Sequence, residues 1–77
     1  MNVKIYSTPE CPYCKNAKAF LKANNIEYED IDVSASDEKL KEMTDLSGQM
    51  GVPVIDVDGK ILSGFNEEKL RAALGLK

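Results

Sequence analysis

Two cysteines with two residues between them are the part of this sequence best suited to chemistry. Cys11 and Cys14 enclose Pro12 and Tyr13, and the chain has no other cysteine. A thiolate attacks a disulfide to give a mixed disulfide, which a second thiol close by can then resolve. When the second cysteine lies one turn into a helix, the two sulfurs come within bonding distance. The spacing therefore predicts thiol–disulfide exchange in which Cys11 attacks and Cys14 resolves.

The position of the pair in the chain favours a reactive thiolate. Residues 7–10 interrupt an apolar strand pattern just before Cys11, and a helix pattern follows from Pro12. A helix start offers free backbone N–H groups and the positive end of the helix dipole, and both stabilise an anion. Thiols of Cys-X-X-Cys motifs in such places have pKa values of about 3.5–7.5, compared with about 8.5 for a free thiol. We therefore expect Cys11 to be exposed at the helix start and to react before Cys14.

Three alternatives to a redox-active pair are open from the residues alone. A structural zinc site needs four ligands, so two cysteines without any histidine could hold zinc only if two chains shared it. An inert buried pair is typical of an apolar run, whereas Pro9, Glu10 and Pro12 surround these cysteines. A binding module with an unreactive pair would require thiols that resist alkylation. The redox interpretation leads because a Cys-X-X-Cys pair beside a β-α-β pattern is typical of redox proteins.

Composition and charge narrow the classes of partner. The chain has 77 residues, 43% of them hydrophobic and 30% charged, which is typical of a single globular domain. With a net charge of −3, it lacks the basic stripe of nucleic-acid-binding proteins. No apolar run reaches the roughly 18 residues of a membrane span, and residues 1–6 do not resemble a secretion signal. We therefore expect a cytoplasmic monomer with no nucleic-acid or membrane partner.

A β-α-β unit is predicted around the cysteines. Val3 and Ile5 alternate with Lys4 and Tyr6, which predicts a strand over residues 2–7. One face of this strand would be apolar, and Tyr6 would point to the other face. A helix follows over residues 12–24 with Pro12 in its first turn, and its apolar face comprises Tyr13, Ala17, Phe20, Leu21 and Asn24. Residues 28–33 form a second predicted strand. The cysteines then lie at the junction between the first strand and the first helix.

The second half of the chain adds a helix, a hairpin and a terminal helix. Ser36 is the predicted N-cap of the second helix, whose buried stripe comprises Leu40, Met43, Leu46 or Ser47, and Met50. Asp58-Gly59 predicts a tight turn between strands over residues 52–57 and 60–62. Asn66 is the predicted N-cap of the last helix. The order β-α-β-α-β-β-α predicts an α/β fold in which helices cover a four-stranded sheet.

The tetrad Cys11-Pro12-Tyr13-Cys14 resembles the active-site motif of the glutaredoxin family in full. Gly51-Val52-Pro53 is similar to the family's Thr-Val-Pro, and Ser63-Gly64 lies where glutaredoxins usually carry Gly-Gly before the last helix. The match in length and element order covers nearly the whole of residues 1–77. The resemblance implies one domain with the thioredoxin-like fold, a mixed four-stranded sheet with three helices, that works as a thiol–disulfide oxidoreductase.

The resemblance also implies the residues of the site. Cys11 and Cys14 would be catalytic, and the substrate would contact Pro12, Tyr13, Val52, Pro53, Ser63, Gly64, Phe65 and Asn66. The Val52–Pro53 bond would be cis, which turns the backbone of Val52 toward an extended peptide. Phe65 could instead be a core or cap residue. No metal and no tightly bound cofactor is implied, and glutathione is one possible co-substrate.

Three positions depart from the family's glutathione site. Thr8 stands where many glutaredoxins carry a basic residue, Gly51 replaces the threonine of Thr-Val-Pro, and Asn66 stands where an aspartate often holds the glutathione amine. The segment 63–65, Ser-Gly-Phe, is similar instead to that of the ribonucleotide-reductase-associated redoxins, which draw electrons from thioredoxin reductase. The electron donor is therefore open between glutathione and a thioredoxin-reductase-like flavoenzyme.

The leading interpretation is an electron carrier that reduces disulfide-containing proteins or low-molecular-weight disulfides such as that of glutathione. The alternative is an iron–sulfur protein in which two subunits share a cluster through Cys11 with help from glutathione. Most glutaredoxins of that kind have a single-cysteine motif, with Gly or Ser in place of Pro12 or Tyr13. An absorbance spectrum of the purified protein separates the two.

Overall fold

A computed structural model of the protein describes residues 2–49 and 51–76, and seven strands and helices follow one another within them. The strands are β1 (Val3–Ser7), β2 (Glu29–Asp32), β3 (Val54–Val57) and β4 (Lys60–Ser63). The helices are α1 (Pro12–Ala23), α2 (Asp37–Ser47) and α3 (Glu67–Leu74). None of these three described helices has the length and apolar character that a membrane crossing needs. The predicted order β-α-β-α-β-β-α is confirmed.

The strands of the described residues form one mixed sheet in the order β2-β1-β3-β4. β1 pairs parallel with β2 and antiparallel with β3, and β4 runs antiparallel to β3. Tyr6, near the end of β1, lies opposite Val54, which directly follows Pro53. The end of β1, which leads to the cysteines, therefore lies beside the start of β3. The predicted mixed four-stranded sheet is confirmed.

Two apolar clusters pack on opposite faces of the sheet. The larger cluster comprises Val3, Ile5, Ala17, Phe20, Leu21, Ile55, Val57, Leu70 and Leu74. The smaller cluster, under α2, comprises Tyr6, Ile31, Val33, Met43 and Val54. Side chains alternate between faces along a strand, so Ile5 and Tyr6 point in opposite directions. The prediction of one apolar face for β1 is wrong: Tyr6 is 1% exposed, because β1 lies mid-sheet with helices over both faces.

The buried face of α1 differs from the prediction at its first residue. The buried side chains are those of Cys14, Ala17, Phe20 and Leu21. Tyr13, which is predicted on this face, is 65% exposed. Because Cys14, Ala17 and Leu21 follow spacings of three and four, they define the centre of the face and Tyr13 falls outside it. Asn24 ends the helix as its C-cap.

α2 buries less than its sequence pattern predicts. Ser36 is its N-cap and accepts a hydrogen bond from the backbone N–H of Lys39 (3.3 Å), which confirms the predicted start. Met43 is fully buried and Leu40 and Ser47 are half-buried, whereas Leu46 is 44% exposed, so Ser47 is the one of the two predicted alternatives that lies on the stripe. Leu46 lies to the side of the helix face that Leu40, Met43 and Ser47 form, since those three follow spacings of three and four. Met50 lies outside the described residues.

The hairpin and the last helix follow the predicted signals. Asp58 and Gly59 have φ values of 50° and 93°, as a tight type I′ turn requires. β3 begins directly after Pro53, later than predicted, because proline has no N–H to donate to a strand ladder. Asn66 is the N-cap of α3 and accepts a hydrogen bond from the backbone N–H of Lys69 (3.1 Å).

Tyr6 links the middle of the sheet to α2. Its hydroxyl donates to Glu42 Oε2 (3.2 Å), and burial together with the Glu42 carboxylate raises the pKa of Tyr6 from 10.0 to about 12. An unfolded chain ionises its tyrosine near a pH of about 10, whereas the folded chain resists ionisation. The stabilisation by neutral Tyr6 is thus fully present below that pH and is lost as the pH rises to about 12.

We expect Tyr6→Phe to flatten the loss of stability at alkaline pH. Phenylalanine cannot ionise, so the urea midpoint of the variant should fall less between about pH 10 and 12 than that of the unmodified protein. Tyr28→Phe is the matched control, because Tyr28 packs against the larger cluster on the other face of the sheet. Equal alkaline slopes for the two variants would contradict the effect assigned to Tyr6.

Candidate active site

A tight turn and the start of α1 position Cys11. The backbone N–H of Cys11 donates to the carbonyl of Thr8 (3.3 Å), which closes a turn with Pro9 in its second position, where proline is favoured. Cys11 is itself the N-cap of α1, with an extended backbone (φ −87°, ψ 114°). Pro12 takes the first helical position, where its missing N–H leaves no hydrogen bond unmade. The turn therefore brings a cysteine sulfur to the N-terminus of a helix.

The sulfur of Cys11 takes the place of the oxygen in an ordinary helix N-cap. It accepts a hydrogen bond from the backbone N–H of Cys14 (3.1 Å), as a capping side chain does. A negatively charged acceptor binds such an N–H more strongly than a neutral one, and the positive end of the helix dipole adds to this preference. The Cys11 sulfur therefore lies at the positive end of α1, in contact with a backbone N–H.

Both cysteines are buried, which corrects the expectation of an exposed Cys11. Cys11 is 9% exposed and Cys14 is 0% exposed. The segment before β3 covers the pair, since the thiol of Cys11 donates to the carbonyl oxygen of Val52 (3.9 Å). Both are free thiols, and within residues 2–49 and 51–76 no third Cys, His, Asp or Glu joins them as a metal ligand. Of the two residues, Cys11 keeps the remaining exposure, and we expect a reagent to reach its sulfur first.

Cys14 lies on the inner side of α1 as a neutral thiol. Burial and, next in size, the hydrogen bond with Cys11 raise the pKa of Cys14 from 9.0 to about 12. At neutral pH this thiol therefore keeps its proton. The predicted order of reaction requires two different sulfurs. Cys11 must attack the substrate disulfide as a thiolate, and Cys14 must react only afterwards, with the mixed disulfide.

Residues 52–53 lie against Cys11, and the segment with Gly64 lies against residues 52–53 in turn. Val52 is half-buried and Pro53 is fully buried, and the bond between them is cis, as the resemblance implied. The carbonyl of Pro53 accepts a hydrogen bond from the backbone N–H of Gly64 (2.8 Å). Gly64 has a φ of 79°, a left-handed conformation that glycine adopts without strain. These hydrogen bonds bring three distant parts of the chain to one surface around Cys11.

Pro12, Tyr13 and Ser63 are exposed at the border of this surface. Pro12 and Tyr13 directly follow Cys11, and Ser63 directly precedes Gly64. Tyr13 is 65% exposed, and an aromatic ring of this kind offers a large apolar face with a polar tip. The contact of these three side chains with a substrate stays a prediction.

Phe65 and Asn66 make their contacts with the protein itself. The ring of Phe65 lies 6.1 Å from that of Phe20, tilted by 58°, and packs against the larger cluster. This place favours the core interpretation of Phe65 over substrate contact. The side-chain oxygen of Asn66 accepts the backbone N–H of Lys69 at the start of α3, so this oxygen is already engaged by the helix.

Sequence similarity assigns the chain to a family. The sequence profile of the glutaredoxin family, described as "Glutaredoxin", matches residues 3–62. The chain belongs to the glutaredoxin family. The resemblance seen in the motifs is confirmed, and membership supports thiol–disulfide oxidoreductase chemistry. Members of the family interact with disulfide substrates and with glutathione or a reductase.

Individual relatives are similar in sequence to this chain over most of its length. An "uncharacterized glutaredoxin-like 8.6 kDa protein in rubredoxin operon" of Clostridium pasteurianum is 48% identical over 68 residues, covering 88% of this chain and 91% of the relative. Glutaredoxin 3 of Escherichia coli K12 is 33% identical over 66 residues, covering 86% and 80%. A crystal structure of a mutant thioredoxin-like protein has a TM-score of 0.92 at 32% identity, covering 99% and 97%. The predicted thioredoxin-like fold is therefore confirmed.

A cluster of polar side chains near Cys14 could not be predicted from the sequence of this glutaredoxin-family member. Lys18 Nζ lies 2.8 Å from Asp30 Oδ2, and Ser7 Oγ donates to Asp30 Oδ1 (2.9 Å). Lys18 is visible in the sequence as the residue four positions after Cys14. Its partners are not visible there, because the parallel pairing of β1 with β2 brings them together.

Proposed function

We propose that this chain is a dithiol electron carrier that reduces disulfides through Cys11 and Cys14. The contrast between the two sulfurs supports this most. The Cys11 sulfur accepts the N–H of Cys14 at the helix start, whereas Cys14 is fully buried with a raised pKa. One sulfur is thereby prepared for attack while the other stays neutral. We propose that the protein acts as a single-domain monomer without a tightly bound metal or cofactor.

The proposed reaction has two exchange steps. The thiolate of Cys11 bonds to one sulfur of the substrate disulfide, and the other substrate sulfur leaves as a thiolate that takes up a proton. Cys14 then loses its proton and bonds to Cys11, which releases the second substrate thiol. The substrate gains two electrons and two protons, and the protein is left with a Cys11–Cys14 disulfide. An electron donor then reduces this disulfide.

A disulfide within an extended peptide suits the surface around Cys11. Val52 lies just before the paired residues of β3, and a peptide strand can pair with backbone groups at such a position. The exposed side chains of Tyr13 and Ser63 border it. We therefore propose disulfide-containing proteins as substrates, with low-molecular-weight disulfides reacting at the same sulfurs.

We propose that glutathione is a poor electron donor for this chain. Glutathione carries two carboxylates and an ammonium group, so tight binding requires charged partners near the cysteines. Thr8 is neutral, and the side-chain oxygen of Asn66 is engaged by the backbone N–H of Lys69. Each missing charge-assisted contact is worth about 1.5–3 kcal/mol, or roughly ten- to hundredfold in affinity. A thioredoxin-reductase-like flavoenzyme is then the better donor.

The donor is tested by following NADPH oxidation with one electron source at a time. One arm contains glutathione and glutathione reductase, and the other contains thioredoxin reductase, each with the protein and a disulfide substrate. We expect the thioredoxin-reductase arm to be faster. A glutathione-dependent rate equal to that of an ordinary glutaredoxin would contradict the choice of donor. No protein-dependent NADPH oxidation in either arm would contradict the proposed function.

Adding the missing charges should improve the glutathione-dependent rate. We expect Thr8→Lys together with Asn66→Asp to raise this rate about tenfold or more, because each change adds a charge-assisted contact. Aspartate caps a helix as well as asparagine does, so α3 should keep its start. Thr8→Gln with Asn66→Ser keeps a capping residue and adds no charge, and it is the matched control. An equal increase in that control would rule out the effect of charge.

A further inference from the structure

A cluster of three polar side chains lies where α1 packs on the sheet, formed by Ser7, Lys18 and Asp30. Ser7 is 1% exposed, and the side chain of Lys18 is 23% exposed. Both carboxylate oxygens of Asp30 are engaged, one by the hydroxyl of Ser7 (2.9 Å) and the other by the ammonium group of Lys18 (2.8 Å). The ion pair therefore joins the ammonium group of Lys18 to β2, on a side chain of Asp30 that is itself 49% exposed.

The ammonium group of Lys18 is held near Cys14. Lys18 lies four residues after Cys14 on α1, and side chains at this spacing are neighbours, with Cβ atoms about 5–6 Å apart. Burial has the largest effect on the pKa of Cys14 and raises it, whereas a hydrogen bond with the backbone of Thr8 and, to a smaller extent, the positive charge of Lys18 lower it. Cys11 is the other titratable group that acts on Cys14, and it raises that pKa. From β2, the carboxylates of Asp30 and Asp32 face Lys18.

We propose that Lys18, held by Asp30 and Ser7, is a positioning residue for the resolving step. This inference rests on the proposed function. In that step Cys14 must lose its proton inside a buried site, where an unpaired anion is disfavoured. The ammonium group of Lys18 stabilises the negative charge that develops on the Cys14 sulfur, and its two partners keep it in place.

The resolving step balances without a further reactant. The Cys14 sulfur forms a bond with the Cys11 sulfur and gives up its proton, which passes to the leaving substrate sulfur. The bond between Cys11 and the substrate breaks, and its electron pair leaves with the substrate sulfur, which takes up a proton. Lys18 keeps its own proton throughout, so its contribution is electrostatic.

A single-turnover reaction with the aromatic disulfide DTNB separates attack from resolution. When the protein is in excess, one coloured thiolate is released as Cys11 attacks and a second as Cys14 resolves. Removing the charge of Lys18 lowers the thiolate fraction of Cys14, whereas the remaining thiolate becomes more nucleophilic as it becomes more basic. For a tenfold lower thiolate fraction, these two effects leave the second phase about threefold slower at neutral pH.

We expect Lys18→Met to leave the first phase unchanged, to slow the second phase about threefold and to displace its rise with pH to higher pH. Lys18→Arg keeps the charge and should restore the second phase. Lys22→Met, one turn further along α1 and exposed, is the matched control. If Lys18→Met does not fold, Lys18→Gln provides the same comparison.

The outcomes separate this inference from the proposed function. A normal first phase with an unchanged second phase in Lys18→Met would overturn the role of Lys18 alone. Equal slowing of both phases, or a second phase that Lys18→Arg does not restore, would also overturn it. Absence of the first phase in the unmodified protein would overturn the proposed function, and the role of Lys18 with it.

Discussion

Replacing Cys11 with serine is expected to abolish disulfide reduction, down to the rate measured without protein. A serine hydroxyl keeps its proton at neutral pH, so it cannot supply the thiolate that exchange requires. Cys14, the remaining thiol, is fully buried and its pKa is raised to about 12, so it cannot take over the attack. The measurement is the initial rate at which a peptide disulfide is reduced by the reduced protein.

Cys14→Ser is the companion variant, and it should accumulate a mixed disulfide on Cys11. Serine at this position retains the backbone N–H that donates to the Cys11 sulfur, so attack should persist while resolution fails. Mass mapping of the adduct after digestion identifies the modified sulfur. Activity that survives in Cys11→Ser, or an adduct that forms readily on its Cys14, would reverse the roles assigned to the two sulfurs.

Leu21→Ala is expected to remove a large part of the free energy of unfolding. Leu21 is 0% exposed and belongs to the larger cluster between α1, α3 and the sheet. Truncation of a buried leucine leaves a cavity and lowers stability by about 2–5 kcal/mol, whereas small domains are stable by only about 5–15 kcal/mol. Urea unfolding monitored by circular dichroism measures the loss.

Leu46→Ala is the matched control for Leu21→Ala. It removes the same atoms from a side chain that is 44% exposed at the end of α2. A surface substitution of this kind usually changes the free energy of unfolding by less than about 0.5 kcal/mol. Equal losses for the two variants would contradict the packing described for α1 and α2.

Most element boundaries were predictable because they depend on signals that act within a few residues. Ser36 and Asn66 cap the helices that their residue types predict, since each side chain accepts an N–H three residues further along. Asp58-Gly59 likewise forms the hairpin turn, because both residues take positive φ values. Signals of this range do not depend on how the rest of the chain packs.

Burial was harder to predict because it depends on which elements become neighbours. Tyr6 alternates with apolar residues, yet it is buried because β1 lies in the middle of the sheet. Leu46 and Ser47 both fit the helical stripe of α2, yet the packing of α2 leaves Leu46 exposed and Ser47 half-buried. Neither the strand order nor the side of a helix that packs on the sheet is contained in one segment, so a local pattern cannot determine them.

In the candidate site, too, some features follow from the local sequence and others depend on tertiary packing. Cys11 and Cys14 form a short motif whose chemistry follows from its spacing and from the helix start. The pairing of Asp30 with Lys18 and Ser7 was not visible in the sequence, because it requires β2 to lie beside β1. Local motifs therefore identified the reacting sulfurs, and tertiary packing determined the charge near the resolving one.

A single-turnover reaction with a peptide disulfide tests most directly whether this dithiol reduces a disulfide. Reduced protein is mixed with the peptide and the reaction is quenched with acid. The mass of the protein is then measured by mass spectrometry, both intact and after digestion. We expect the protein to lose two hydrogen atoms and form a Cys11–Cys14 disulfide, while an equal amount of peptide disulfide becomes thiol. Protein that keeps both thiols in the presence of excess peptide disulfide would contradict disulfide exchange by this pair.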